Sequence, residues 1–277
     1  MTADSHVHFF SHRFFQLLSA APDRLSSLGF EMPPEDPLEF AARWVAELDA
    51  NRVERAALIA SHPSDVSSVV TAKRACPGRF TAFAMVPPFS GFLPDDIDCA
   101  CLFPAMHGYS LHDERVKPVF EKYNRIFVHC GVLSVGIRGK LGLPSPFDMR
   151  FSNPIELHAI ALRYPKTKFI VPHFGAGYFR EALMLCDLCA NVYLDTSSSN
   201  AWMKYEDLDL ETVFRRALNV CGPERLLFGS DSSFFPRGWN KSIYETQHNV
   251  LKLEIGLNQV HLERIFGGNF AELFPQP

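Results

Sequence analysis

A chain of 277 residues with 47% hydrophobic content can bury one large core, and its length is close to the roughly 250 residues typical of a (β/α)₈ barrel. The net charge of −4, with Lys and Arg scattered along the chain, gives no electrostatic footprint for nucleic acid or an anionic membrane, so the expected partner is a small-molecule substrate. The odd count of seven cysteines reads as reduced thiols. MTADSHVHFF has no signal-peptide pattern and no apolar run reaches the roughly 18 residues of a membrane span, so the expected location is the cytoplasm.

In chain order, short apolar runs predict eight strands: Ala3–His8, Arg55–Ala60, Phe80–Val86, Cys99–Phe103, Ile126–His129, Lys168–His173, Asn191–Asp195 and Arg225–Ser230. Helix-compatible stretches lie between most of them: Pro37–Ala50, Ser64–Cys76, Asp113–Tyr123, Pro154–Tyr164, Tyr178–Ala190, Asp207–Val220 and Ser242–Leu253. Such alternation is the signature of parallel βαβ units, so the expected fold is a single (β/α)₈ TIM barrel over residues 1–277. One unit is irregular. Only PPFSGFLPDDID separates strands three and four, and its three prolines leave no room for a full helix, which predicts a slight distortion with a truncated crossover there. Asn269 in GGNF reads as a helix N-cap.

Of eleven histidines, His6, His8, His129 and His173 fall at the ends of predicted strands, as does Asp231. Residues i and i+2 of a strand share a face, so His6 and His8 aim together into the barrel mouth. Imidazole nitrogens and a carboxylate suit a divalent ion such as zinc, and three or four protein ligands leave a position open for catalysis. Any one of these groups alone reads more simply as a hydrogen-bonded core or surface residue. Five at one end of a barrel, where active sites of this fold gather, point to a site. His62 and His107 are weaker candidates for the same mouth. Cys186 and Cys189 form a C-x-x-C with no second pair, which argues against a zinc or redox role.

The blocks DSHVHFF, IFVHCG, FIVPHFGAG, NVYLDTSSS, RLLFGSD and IFGGNFAELF follow in order nearly end to end. In this series the chain resembles the amidohydrolase-related branch of the amidohydrolase superfamily. The resemblance implies a metal-dependent barrel, hydrolysis of amides or lactones, and relatives that decarboxylate or hydrate instead. It carries ligand roles onto His6, His8, His129 and Asp231. Where many members place a carboxylated lysine that bridges two metals, this sequence has Cys101, so one bound metal ion, a zinc-like divalent cation, is expected.

On this reading Asp231 is the proton acceptor, and His173 either positions water and substrate, or is a further ligand or a hydrogen-bond donor behind the ligands. In SSFFPRGW after Asp231, Arg237 could meet a substrate carboxylate and Trp239 could wall an apolar body, while Phe9, Phe10, Phe234 and Phe235 suggest a dry pocket. The expected function is a metal-dependent hydrolase of a small, carboxylated cyclic amide, lactone or ester. A decarboxylase of an aromatic or muconate-like acid on the same site is the alternative, and a non-catalytic binding barrel is a third reading. The sequence leaves the oligomeric state open, a homo-oligomer included.

Overall fold

In the computed structural model, which describes residues 1–132, 136–198 and 200–276, eight parallel strands run side by side in sequence order. They are β1 (Ala3–His8), β2 (Arg55–Ala60), β3 (Phe80–Met85), β4 (Cys99–Leu102), β5 (Arg125–Val128), β6 (Lys168–Val171), β7 (Val192–Asp195) and β8 (Leu226–Leu227). All eight expected strands are present. The last is shorter than the sequence suggests, because the Phe228 amide turns away to donate to the Ile265 carbonyl. The barrel closes just beyond it, where Ser5 N–H donates to Phe228 O at 2.8 Å, Asp231 N–H to His6 O at 3.0 Å and His8 N–H to Ser232 O at 2.7 Å.

Two-residue periodicity sorts the strands into layers. Ala57, Ile59, Phe83, Cys99, Cys101, Phe127, Ile170 and Leu227 pack together inside the barrel, and the alternate residues pack outward beneath the helices. Cys101 is therefore interior lining, fully buried, and no lysine reaches the mouth from β4. No helix joins β3 to β4, so the shortened crossover is present. Pro37–Ala50 forms as expected, with Asp36 Oδ1 accepting from Leu38 N at 2.8 Å as its N-cap. Asn269 is not an N-cap. It lies at the start of the helix Asn269–Leu273, and its Nδ2 donates to Pro223 O and Leu226 O, pinning the C-terminal helix to the base of β8.

Two short helices, His12–Leu17 and Pro22–Ser27, escaped the sequence reading because each spans under two turns and shows no sustained periodicity. They form a lip over the barrel mouth. Phe10, Phe14, Phe15, Leu25 and Phe30 cluster there with Ile137, apart from the main core. Among the described residues no helix is long and apolar enough to cross a membrane.

Candidate active site

Interior parity puts His129, just past β5, in the row of Phe127, and Asp195, the last residue of β7, in that of Tyr193. β1 shifts register between Asp4 and Val7, and both His6 and His8 face the mouth. Two residues reach it from unusual backbone: His173 at φ 54° and Asp231 at φ 56° occupy the left-handed region, which costs a non-glycine residue about 1 kcal/mol or more and is tolerated where function holds it. Gly229 is forced by closeness. A Cβ there would lie 2.8 Å from Ser197 Cβ and 2.9 Å from His6 Cβ.

At the centre, His6 Nε2 lies 3.3 Å from His8 Nε2, and Asp231 Oδ1 lies 3.3 Å from His8 Nε2 and 3.7 Å from His6 Nε2. These three donors all fall within 4.8 Å of one another. His129 stands outside that set but lines the same mouth, its ring 5.2 Å from that of His173, which in turn is 5.0 Å from His6. The donor set fits a divalent ion: two imidazole nitrogens and a carboxylate oxygen converge on one point, with the second nitrogen of each imidazole engaged elsewhere.

What aims them is a buried layer behind. His6 Nδ1 lies 3.0 Å from Asp195 Oδ2, and an ionised carboxylate can only accept, so Nδ1 carries the proton and the Nε2 lone pair faces the centre. Asp195 is fully buried and also accepts from Ser5 Oγ at 3.2 Å and Ser197 N at 2.6 Å. Ser197 Oγ sits 3.0 Å from His6 Nδ1 and 2.9 Å from His173 Nδ1, linking the two imidazoles. His8 Nδ1 meets Ser61 Oγ at 2.6 Å. The sequence reading missed the role of Asp195, although a carboxylate ending a barrel strand on interior parity was the available signal. Asp195→Asn is expected to weaken metal retention about 10–100-fold, the range for losing a partner behind a ligand, as read by chelator competition.

Burial alone would raise the Asp195 carboxyl, but His6 outweighs it and holds the group below the usual carboxylate range. Asp231 behaves likewise: burial opposes its charge, and His8 and His6 prevail, keeping it ionised. Burial pushes His129 well down, and the charges of His173 and His6 push it the same way. His173 is lowered by burial and by His6. Both therefore stand neutral at pH 7. His6 is raised overall, because burial disfavours its charge but the Asp195 carboxylate more than offsets that.

Arg237 reaches the rim, where Nη2 lies 3.2 Å from Asp231 O and 3.0 Å from Ser233 Oγ, and its guanidinium covers the Phe234 ring at 4.5 Å. Phe10 and Phe234 line the pocket, whereas Phe9 and Phe235 belong to the core. Trp239 does not wall the mouth. It is buried against Phe228 and Tyr244, and its Nε1 donates to Asp4 Oδ2 at 2.7 Å, because that buried carboxylate beneath the mouth needs a donor. His62 lines the pocket; His107 is exposed and lines neither cavity at the mouth.

The family model described as Amidohydrolase matches residues 3–276. The chain belongs to the amidohydrolase family. Protein fluG of Emericella nidulans is 33% identical over 85 residues, a stretch that covers 31% of this chain and only 10% of that protein. Among solved structures, a Burkholderia multivorans amidohydrolase with bound zinc superposes with a TM-score of 0.63 at 14% identity, covering 100% of both chains. The 5-carboxyvanillate decarboxylase of Sphingomonas paucimobilis superposes equally well, with a TM-score of 0.63 at 13% identity, covering 100% of this chain and 99% of that one. At such identities these two likenesses concern the fold, a TIM barrel shared by hydrolases and decarboxylases.

Proposed function

We propose that this amidohydrolase-family chain is a metal-dependent hydrolase of a small carboxylated amide, lactone or ester, cyclic substrates included. The observation that carries this reading is the convergence of His6, His8 and Asp231 on one point, with His129 and His173 facing it as neutral imidazoles. A single divalent ion such as zinc held there would supply Lewis acidity toward water and a carbonyl oxygen. Asp231, ionised beside that point, takes the proton from the attacking water and returns it to the leaving group. His173, tied to Ser197, orients the water or the carbonyl. All seven cysteines are free thiols, which supports a reducing compartment such as the cytoplasm.

A decarboxylase is the second reading, favoured by the aromatic lining and the rim arginine, which would suit an aromatic acid. Elemental analysis together with a panel of carboxylated lactones, amides and benzoates tests both: one ion per chain with hydrolysis supports the first, and carbon dioxide release from a benzoate supports the second. Arg237→Met is expected to raise KM for a carboxylated substrate about 10-fold or more with kcat changed little, since its charge-assisted contact serves ground and transition states alike. An unchanged KM would remove Arg237 from substrate recognition.

A further inference from the structure

The strand that carries His6 and His8 is irregular, and a regular one would turn them the wrong way. Ala3 packs inside the barrel with Ala57 and Ile59, whereas Val7 packs in the outer layer with Leu58. Residues 3 and 7 of an unbroken strand share a face, so the chain changes parity between them. The change is a bulge. Ala3 and Asp4 pair with Arg55 and Ala56, Val7 and His8 pair with Leu58 and Ile59, and Ser5 and His6 together stand against Ala57. Without the extra residue, the inward parity of Ala3 would fall on Ser5 and Val7 and carry both imidazoles away from the mouth.

Asp4 sits at the foot of this bulge, where its register partner Ala56 is the apolar residue that the outer layer takes. It is fully buried, and every group it binds is a neutral donor. Oδ1 accepts from His6 N at 2.9 Å and Ser230 N at 3.0 Å, while Oδ2 accepts from Ser230 Oγ and from Trp239 Nε1 at 2.7 Å. The bond to His6 N closes the bulge across Ser5. The bond to Ser230 N fixes the residue before Asp231. On the inner face Asp195 holds the side chains of the same two bulge residues, Ser5 Oγ at 3.2 Å and His6 Nδ1 at 3.0 Å. A carboxylate in this layer carries a desolvation cost that alanine would not, and the bonds it accepts join the two segments that supply the metal donors.

We infer that Asp4 is a positioning residue for the metal centre: it locks the β1 bulge that turns His6 and His8 inward and ties that bulge to the turn presenting Asp231. This rests on the reading of His6, His8 and Asp231 as metal donors. The role belongs to Oδ1, which takes both backbone amides, while Oδ2 secures the Trp239 packing. Alanine at this position leaves both amides without an acceptor. Asparagine can keep them, with its Nδ2 turned to the Ser230 hydroxyl and only the indole N–H unpaired.

Cobalt(II) titration, followed by visible absorption, and NMR hydrogen exchange at the His6 amide of the metal-free protein test this separately. Asp4→Ala is expected to bind cobalt about 10-fold or more weakly and to lose protection at His6 N–H, and Asp4→Asn to keep both. Trp239→Phe removes only a partner of Oδ2, so it should unfold at lower urea concentration with cobalt affinity and His6 protection unchanged, which separates positioning from general loss of stability. Asp4→Ala with wild-type cobalt affinity, Asp4→Asn failing as Asp4→Ala does, or Trp239→Phe losing cobalt affinity in step with its stability overturns the inference. Where Asp4→Ala does not fold, free exchange at His6 N–H in the metal-free wild type overturns it alone. Cobalt held as tightly by His8→Ala as by wild type would instead refute the donor set on which the inference rests, and the exchange data, taken without metal, would still report the bulge.

Discussion

Replacing His8 by alanine is expected to strip the protein of its metal, and replacing His6 to do so at a further cost in stability. Each removes an Nε2 donor from a set of three, so the loss of affinity should exceed the roughly 10–100-fold effect of altering a group behind a ligand. His8 has a side chain 21% exposed and leans on Ser61, and the carboxylate it leaves behind, Asp231, is 33% exposed and keeps His6 beside it. His6 is different. It is the cationic or proton-donating partner of Asp195, which is 0% exposed, and His6→Ala leaves that carboxylate buried with only hydroxyl and amide donors. Breaking a buried pair from one side costs about 3–5 kcal/mol, so His6→Ala should unfold at markedly lower denaturant concentration than His8→Ala. Elemental analysis after dialysis and urea unfolding read the two effects separately. Full metal occupancy in either variant would dismiss the ligand set, and equal stabilities would dismiss the Asp195 anchor.

The barrel was legible because its signal is repeated: from β2 onward most strands are runs of β-branched or apolar residues, buried on both faces, set off by turns and prolines. The centre was legible where chemistry sits on a strand end, as in Ser5-His6-Val7-His8 or the stretch closing on Asp231. Asp195 ends a barrel strand on interior parity, but its segment read as structure, and its distance to His6 across 189 positions is what assigns its role. Trp239 misled for a related reason. Its place eight residues beyond Asp231 suggested the rim, but the chain folds back so that the indole serves the buried Asp4. The lip was invisible because its aromatic residues cohere through tertiary stacking, such as the 4.3 Å Phe30–Phe234 pair, and not through sustained helical periodicity. Long-range contacts of single residues carry no local pattern, and these were the misses.

Asp231→Asn is expected to reduce kcat by about 10²–10⁴, the loss associated with removing general acid–base catalysis. The substitution keeps an oxygen near the position of Oδ1, 3.3 Å from His8 Nε2, and keeps the side chain's volume, while an amide cannot accept a proton from water at neutral pH. The left-handed backbone at residue 231 favours this choice over alanine, since asparagine tolerates φ near 56° better than most residues and the loop leading to Arg237 should hold its course. Loss of charge also loosens a divalent ion, so kcat is to be expressed per bound ion, with metal content measured on the same preparation. Arg237→Met provides the contrast, since its effect falls on KM. If the Asp231→Asn protein turned over near the normal rate per bound ion, proton transfer would belong to another group, and His173, joined to His6 through Ser197, is the neutral imidazole placed to take it.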